Sequence, residues 1–318
     1  MLSRVADSLY WMSRYLERAE HTARVLAVGL TQTLDHTPEA TRVRWVRLHE
    51  ALNASPPTSA DSYAISKALT FDTRNSNTIV SCVALARENA RQVREQISSE
   101  MWEELNRLYL RVRSASADAI WQTEPIEFYQ AVKKGSHLFQ GITDATMSHG
   151  EGWFFIQVGR YLERAGATAR LLDAYFRPFL NDPSDQSSLL EFNDWVALLK
   201  CATAFEAYCK VYTADVQPAR VAEYLLLDAE LPRSVRFAAD RIQRGLHAIA
   251  QSTGSRGGGR AERLAGRLRA ALDYGQMDEI LADDMHAYLE NVRRQCGGIH
   301  DAIYKTYVAY PVEMALVN

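Results

Sequence analysis

The sequence predicts an all-α protein: a single helical bundle built from two halves related by a pseudo-two-fold axis. Apolar residues recur every three or four positions along most of the chain, as on the buried face of a helix. No segment shows the alternation of β-branched residues or the Asn-Gly turns typical of strands and hairpins. One stretch of thirteen residues occurs twice. With 318 residues, 47% of them hydrophobic, the chain is long enough to bury a core without metals or disulfides.

The elements follow in order from this periodicity. Residues 2–30 form the first predicted helix, with an apolar face of Leu9, Met12, Leu16, Ala19, Ala23 and Leu26. Further helices are predicted over 76–113 (broken at an N-cap at Ser98 or Ser99), 126–148, 150–178, 191–213, 233–251, 260–273 and 277–308. Pro, Gly, Ser and Asp predict loops at 55–59, 181–185 and 252–260. The last loop is glycine-rich but lacks the preceding strand and the Lys-Ser/Thr of a phosphate-binding loop, so we expect a flexible linker.

An internal duplication is the strongest signal. RYLERAEHTARVL at 14–26 returns as RYLERAGATARLL at 160–172, with ten of thirteen residues identical 146 positions later. Two weaker matches follow in the same order: 71–72 and 76–78 with 227–228 and 232–234, then 141–145 with 298–302. We therefore predict one domain, 1–318, made of repeat halves at about 1–148 and 149–318. The halves are expected to pack together because helical pairs bury little surface alone.

Composition excludes several functions. The 36 Lys and Arg against 39 Asp and Glu give a net charge of −3, which argues against a dedicated nucleic-acid-binding protein. No apolar run is long enough to span a membrane, and charges interrupt any N-terminal signal sequence. We expect no nucleic acid, membrane, metal or other cofactor as a partner, and a cytoplasmic location. The cysteines fit no zinc template and are expected as buried reduced thiols: Cys82, Cys201, Cys209 and Cys296.

The duplicated helices supply the candidate site. Its residues share one face of about 120° and are Arg14, Glu17, Arg18 and Arg24 in the first copy and Arg160, Glu163, Arg164 and Arg170 in the second. A solvated face with weak ion pairs is the simplest interpretation. Retention of the same Glu-Arg pair in both copies instead favours a partly buried network at the pseudo-two-fold axis. That network is either purely structural or the lining of a pocket for an anionic ligand such as a carboxylate or phosphate.

Other motifs give weaker signals. The Asp-x-x-His at 283–286 lacks the second Glu-x-x-His that di-iron bundles need, and no Gly-x-Ser-x-Gly nucleophile motif is present. His300 is predicted to have a helix-surface or packing role. Residues 87–91 either contact the charged stripe or are solvated. Tyr15 and Tyr161 are either core residues or flank a pocket.

Long stretches of the chain resemble the alpha-E family, a bacterial all-helical family named for its Glu-Arg motif. The resemblance covers essentially the whole chain and rests on residues 2–24, 86–109, 149–173, 221–237 and 298–307. The family's Glu-Arg motif maps onto Glu17-Arg18 and Glu163-Arg164. Members of the family typically sit beside, or are fused to, a circularly permuted ATP-grasp protein, and often near a transglutaminase-like protease.

The resemblance implies that the chain is an accessory or partner component of an ATP-grasp peptide or amide ligase, binding the ligase or an anionic peptide substrate. ATP-grasp enzymes join a carboxylate to an amine through an acyl-phosphate; we identify no such domain in these 318 residues and expect no ligation by them alone. Two alternatives stay open. One is an enzyme acting on peptides or acyl-phosphates through a Glu/Arg pocket, and the other is a helical scaffold with a structural ion-pair network. If Glu17 and Glu163 are exposed and far apart, the pocket hypothesis fails; if they converge in a cleft, the enzyme alternative is favoured.

Overall fold

The computed structural model describes residues 1–32, 37–57, 59, 61–181 (backbone only for 178–181), 192–253 and 259–309. Over these residues the protein is all-helical, with fifteen α-helices and no strand, as predicted. The helices are α1 Ser3–Gln32, α2 Pro38–Ala51, α3 Ser62–Phe71, α4 Ile79–Gln92, α5 Ser99–Arg113, α6 Ala117–Gln122, α7 Pro125–Thr146, α8 Glu151–Asn181, α9 Phe192–Cys201, α10 Phe205–Tyr212, α11 Pro218–Leu227, α12 Val235–Ser252, α13 Arg260–Asp273, α14 Met277–Ala282 and α15 Met285–Ile303. A short 3-10 turn at Arg94–Gln96 and a π-helical turn at Tyr304–Val308 complete them.

The two long helices α1 and α8 form the centre of the bundle and run parallel. The amino terminus of Met1 lies 3.1 Å from the Glu151 carboxylate at one end. Further along, the backbones come close at Gly159, where a Cβ atom would lie 2.4 Å from the carbonyl oxygen of Tyr10. Only glycine permits this approach, which brings the polar faces of the two helices into contact.

The remaining helices surround this pair in a similar way. Helices α4 and α7 pack against α1, and α12 and α15 pack against α8. The second helix of each half crosses over, so that α2 packs on α8 and α9 packs on α1. This arrangement encloses the α1–α8 interface on most sides. The pseudo-two-fold relation between the halves stays a prediction.

Two matching helix caps mark the weaker part of the duplication. The hydroxyl of Thr78 donates to the carbonyl of Asp72 and accepts from the amide of Ser81, which starts α4. Ser234, 156 residues later, donates to the carbonyl of Asp228 and likewise caps α12. Because a cap hydroxyl satisfies an otherwise unpaired amide at the helix start, both aligned segments turn into a helix by the same local device.

The helices differ from the predicted ranges at two points. The range 191–213 is broken at Thr203, whose φ of 51° lies in the left-handed region and ends α9. The range 277–308 is broken before Met285, where the Asp284 side chain caps α15. Ser98 is confirmed as the N-cap of α5. Four helices were missed: α3, α6 and α11 have ten residues or fewer, and α2 has little apolar periodicity for its 14 residues.

The predicted loops lie partly outside the described residues. Residues 55–57 and 59 are loop, whereas residue 58 and most of 181–185 and 252–260 are not described. No helix in the described ranges is long and apolar enough to cross a membrane. All four cysteines are free; Cys209 is only partly buried, and the other three are buried as predicted.

Candidate anion-binding site

The Glu-Arg pairs of the two copies hold each other across the α1–α8 interface. Arg164 of α8 donates from Nε and Nη2 to the two oxygens of Glu17, at 2.7 and 2.8 Å. Arg18 of α1 donates in the same way to Glu163, at 2.7 and 3.1 Å. Each pair is a bidentate fork, the geometry that arginine forms with a carboxylate and lysine cannot. The solvated-face interpretation is therefore wrong: Glu17 is 1% exposed and the Glu163 side chain 13%.

The first of these clusters, which we call the Glu17 centre, is built around the buried carboxylate of Glu17. Arg233 donates to Glu17 at 3.2 Å and Gln140 at 3.3 Å, in addition to the Arg164 fork. Burial by itself would raise the pKa of Glu17, but the charges of Arg164 and Arg233 outweigh it and hold the pKa far below its ordinary value. Glu17 is therefore ionised and fully satisfied.

A second carboxylate, Glu20, completes the Glu17 centre. Arg233 donates to it at 2.5 Å, Arg24 pairs with it one helical turn along α1, and the His137 ring nitrogen lies at 3.3 Å. Burial and the charge of Arg233 lower the pKa of Arg24 to about 9. The sequence analysis missed Glu20 because the second copy has Gly166 at that position. The i,i+4 spacing to Arg24 was the available signal.

The other cluster, the Glu163 centre, is held by two arginines of α1. Arg14 donates to Glu163 at 2.8 Å beside the Arg18 fork, and Arg18 also donates to the side-chain oxygen of Asn77 at 2.6 Å. Burial would raise the pKa of Glu163, but Arg14 and Arg18 together hold it at about 2. Arg14 in turn stacks over the Trp11 ring, with its guanidinium carbon 4.7 Å from the ring centroid.

A cavity of about 290 Å³ opens beside the Glu163 centre, between α1, α8, α15 and the loop after α2. Its ionisable lining is almost entirely basic and consists of Arg14, Arg18, His21, Arg170, Arg293 and His300, with Glu163 as the one carboxylate among the lining residues. Gly166 and Gly297 form part of its wall, and a Cβ atom added at either would meet nothing within 4 Å. The lining of the cavity therefore carries a net positive charge, and the space beside Gly166 and Gly297 is not filled by other side chains.

Two basic groups of the lining keep hydrogen-bonding capacity unused. The buried Nε atoms of Arg170 and Nε2 of His21 have no hydrogen-bond partner among the described residues. His21 is 7% exposed. Burial, reinforced by Arg233, lowers the pKa of His21 to about 4, so the ring is neutral near pH 7. Burial and the neighbouring Arg293 lower the pKa of Arg170, which remains cationic as arginine does in proteins.

His300 packs against the rings of Tyr10 and Trp11, which agrees with its predicted packing role. It also lines the cavity, and its Nδ1 lies 2.9 Å from the Tyr10 hydroxyl. Arg14 donates to that hydroxyl at 3.3 Å, so the hydroxyl is free to donate to Nδ1. This assignment leaves the proton of the neutral imidazole on Nε2. Its helical counterpart Thr143 gave no indication of such a chain of hydrogen bonds.

A second cavity, of about 490 Å³, lies between α1, α7 and α9. Arg24, Lys133 and Lys200 line it. Two of its other lining residues, Gln32 and Asn193, adjoin segments 33–36 and 182–191, which lie outside the described residues. Unlike Arg170, Arg24 already has a carboxylate partner in Glu20.

The sequence profile of one protein family, described as a predicted α-helical domain with a conserved ER motif, matches residues 1–308. The chain belongs to the Alpha-E family. It is similar to uncharacterised protein Mb2597 of Mycobacterium bovis and to uncharacterised proteins MT2643 and Rv2567 of two strains of Mycobacterium tuberculosis. Each is 26% identical over 345 residues, covering 97% of this chain. The chain spans only 37% of the length of these relatives. No solved structure matches it.

The ER motifs of this Alpha-E chain thus lie face to face, but the eight predicted site residues fall into three groups. Arg14, Arg18, Glu163 and Arg170 line the 290 Å³ cavity, and Arg24 lines the larger one. Glu17, Arg160 and Arg164 line neither; Arg160 is buried near Asp144 and Glu17. Besides Glu20 of α1, the residues that were not predicted come from loops and helices distant in sequence: Asn77, Gln140, Arg233 and Arg293.

The structure also shows the surroundings of Arg87, Tyr15 and Tyr161. Arg87 of α4 stacks between Trp102 and Tyr109 of α5 and does not contact the stripe. Tyr15 and Tyr161 lie under the guanidinium groups of Arg18 and Arg164, respectively, and line neither cavity.

Two groups bear on metal binding and nucleophilic chemistry: the Asp-x-x-His motif and the cavity-lining Cys296. His286, from the Asp-x-x-His motif, lies 2.5 Å from the Asp173 carboxylate. Within the described ranges no group of three or more His, Cys, Asp or Glu side chains is placed to hold a metal. Burial raises the pKa of the cavity-lining Cys296 to about 12, so its thiol is not ionised near pH 7.

Proposed function

We propose that this Alpha-E chain is the substrate-binding component of an ATP-grasp peptide or amide ligase system. Its cationic cavity would hold the carboxylate or acyl-phosphate end of an anionic peptide substrate. The observation that carries the proposal is the lining of the cavity, in which four arginines and two histidines face a single carboxylate. Glu163 neutralises only part of this charge, because Arg14 and Arg18 share it.

Arginine is suited to this role because its planar fork matches the two oxygens of a carboxylate or phosphate. The cavity volume of about 290 Å³ is at the lower end of small-ligand sites, which fits one end of a peptide better than a whole cofactor. The neutral thiol of Cys296 favours binding over covalent catalysis at this place.

The family resemblance supports the partnership. The chain spans 37% of the length of its mycobacterial relatives, so those chains carry further polypeptide beyond the matched region. The ATP-grasp neighbour supplies the acyl-phosphate chemistry in this proposal. A transglutaminase-like protease would act in the same system on the amide product.

The structural-scaffold alternative fits the Glu17 centre. Glu17 is buried and paired and does not line the 290 Å³ cavity, as expected of a network that fixes how the two long helices pack. We therefore assign structure to the Glu17 centre and ligand binding to the Glu163 centre.

Co-purification with the ATP-grasp protein encoded beside the chain tests the proposal. The two proteins are co-expressed and followed by size exclusion, and ATP turnover is measured with added peptides. We expect a complex and turnover that depends on this chain. Arg170→Gln should raise the KM for the peptide by about tenfold, the effect of losing about 1.4 kcal/mol.

Arg244→Gln is the matched control, because Arg244 is an exposed arginine of α12 that pairs with Asp240 and does not line the cavity. It should leave both the complex and the KM unchanged. Separate elution of the two proteins, with turnover indifferent to this chain, would contradict the partnership. An equal KM for the Arg170→Gln and Arg244→Gln proteins would contradict the role of the cavity.

A further inference from the structure

The two Glu-Arg centres differ at three aligned positions. At each of them the Glu163 centre has the shorter residue. Glu20 corresponds to Gly166, Gln140 to Gly297, and Arg233 to Asn77 in the three repeat matches. At the Glu17 centre the longer side chains meet: Arg233 donates to Glu17 and Glu20, and Gln140 donates to Glu17. At the Glu163 centre the shorter residues line the cavity.

The most informative of these differences concerns a carboxylate. In the first copy, the Glu20 carboxylate pairs with Arg24 one helical turn further along α1. In the second copy Arg170 stands at the position of Arg24, but Gly166 stands at the position of Glu20. The buried Nε atoms of Arg24 and Arg170 both lack a hydrogen-bond partner among the described residues, but Arg24 pairs with Glu20 through Nη2. Beside Arg170, open space lies where a side chain at 166 would project.

From this comparison we infer that the ligand of the cavity supplies the missing oxyanion. Its carboxylate or phosphate group lies against Arg170, over Gly166, at the place that the Glu20 carboxylate takes beside Arg24 in the other half. Arg170 is then the residue that recognises the anionic group. His21, whose buried Nε2 also lacks a partner among the described residues and which lines the same cavity, is the second donor or acceptor available to it.

The surrounding charges agree with this placement. Arg293 lines the cavity next to Arg170, and its contact with a carboxylate is a long one, 3.8 Å to Asp173. Asp173 is already paired with Arg177 at 2.7 Å and His286 at 2.5 Å. A ligand oxyanion between Arg170 and Arg293 therefore meets two guanidinium groups that the protein's own carboxylates leave largely unneutralised.

The inference deepens the proposed function and rests on the same cavity, but it does not depend on the ligase. It can be tested on the isolated full-length chain. Calorimetric titrations with glutarate and with inorganic phosphate, at constant ionic strength, measure binding of a carboxylate and of a phosphate separately. We expect saturable binding of at least one probe; the tighter of the two identifies the kind of oxyanion.

The decisive variant is Gly166→Glu, which rebuilds the Glu20 arrangement in the second copy. The new carboxylate should pair with Arg170 and occupy the place of the ligand, weakening binding of the probe at least tenfold. Replacement of a helical glycine and the new ion pair should also raise Tm. Gly266→Glu is the matched control, since Gly266 is a helical glycine of α13 with open space at its Cβ and lies outside the cavity lining.

Binding that is lost in Gly166→Glu and kept in Gly266→Glu supports the inference. Equal binding by both variants, or no saturable binding of either probe to the unaltered chain, overturns it. If Gly166→Glu does not fold, as judged by circular dichroism, Arg170→Gln takes its place and must lose binding to the same extent. If the binding test fails while ATP turnover still depends on this chain, the proposed position of the oxyanion is refuted but the ligase partnership is not.

Discussion

The Glu17 and Glu163 centres are built from the same repeated pattern, yet they have become different kinds of site. In both centres an arginine of the opposite helix forms a bidentate ion pair with the carboxylate. Around Glu17 the protein adds Glu20, Gln140 and Arg233, and the Glu17 carboxylate receives hydrogen bonds from Arg164, Arg233 and Gln140. Around Glu163 the aligned positions are glycine, glycine and asparagine, and a cationic cavity takes the space.

In our proposal, the duplicated ion network serves helix packing at the Glu17 centre and anion recognition at the Glu163 centre. A buried carboxylate with several arginine partners fixes the register of two helices, although it adds little net stability over apolar packing. Once one copy fixes the register, the other can lose side chains without loss of the fold. The shorter residues around Glu163 leave guanidinium groups beside the cavity that Glu163 already orients, and preorganised donors bind an anion with little reordering.

Removal of each carboxylate gives the largest expected contrast. Glu17→Gln leaves Arg164 and Arg233 buried with reduced compensation and should lower the free energy of unfolding by about 3–5 kcal/mol. Glu163→Gln should lower it by only about 1–2 kcal/mol, because Arg14 and Arg18 adjoin the cavity and can be solvated there. Urea denaturation measures both values. Equal losses would mean that the two centres do not differ as described.

The pH dependence of stability tests His21, which lies between the centres and corresponds to Ala167. Its pKa is about 4 in the folded chain against an ordinary 6.5, so between these values the unfolded state binds a proton that the folded state does not. Stability should be complete above pH 6.5 and fall by roughly 2 kcal/mol from this group on going to pH 5.

The His21→Ala variant should lack this part of the loss. The low pKa values of Glu17 and Glu163 act in a lower range, since their contribution is present above about pH 4.5 and disappears only as the pH falls below it. Denaturation curves at pH 7.5 and pH 5 separate the two. An unchanged pH dependence in His21→Ala would contradict the buried neutral imidazole.

The aligned arginines Arg24 and Arg170 should respond differently to the same change. Arg24→Gln removes a charged partner from Glu20, which is fully buried, and should cost about 1–2 kcal/mol. Arg170→Gln removes a cation that forms no ion pair with a carboxylate of the described residues, and it should change stability by less than about 0.5 kcal/mol. Thermal denaturation of the two variants side by side is sufficient. A larger loss for Arg170→Gln would indicate a structural role for that residue.

The smallest expected effects come from the aligned residues Gln140 and Gly297. Gln140→Ala removes the hydrogen bond to Glu17 and should cost about 1 kcal/mol. Gly297→Ala places a methyl group in open space on α15 and should stabilise the protein by about 0.5–1 kcal/mol through helix propensity. Both shifts are measurable as changes in Tm. A destabilising Gly297→Ala would show that the cavity wall is tighter than described.

The all-helical fold, the burial of the stripe and the Glu-Arg pairing could be predicted from the sequence, because helical periodicity is a local signal and the repeat preserves identical residues in register. The difference between the two centres could not. It depends on Asn77 and Arg233, which lie 59 and 216 residues from their partners Arg18 and Glu17, and on Gly297 of α15. A glycine in a helix also carries no sign of whether it faces solvent or a cavity.

Side-chain nitrogen NMR tests the central claim most directly. The Nε–Hε signals of the arginines are assigned by single Arg→Lys variants and followed while inorganic phosphate or glutarate is added. The signal of Arg170 should shift and saturate with the probe, whereas those of Arg24 and Arg164 in the Glu17 centre should stay in place. Shifts of Arg24 or Arg164 without a shift of Arg170, or no saturating shift at all, would contradict the assignment of binding to the Glu163 centre.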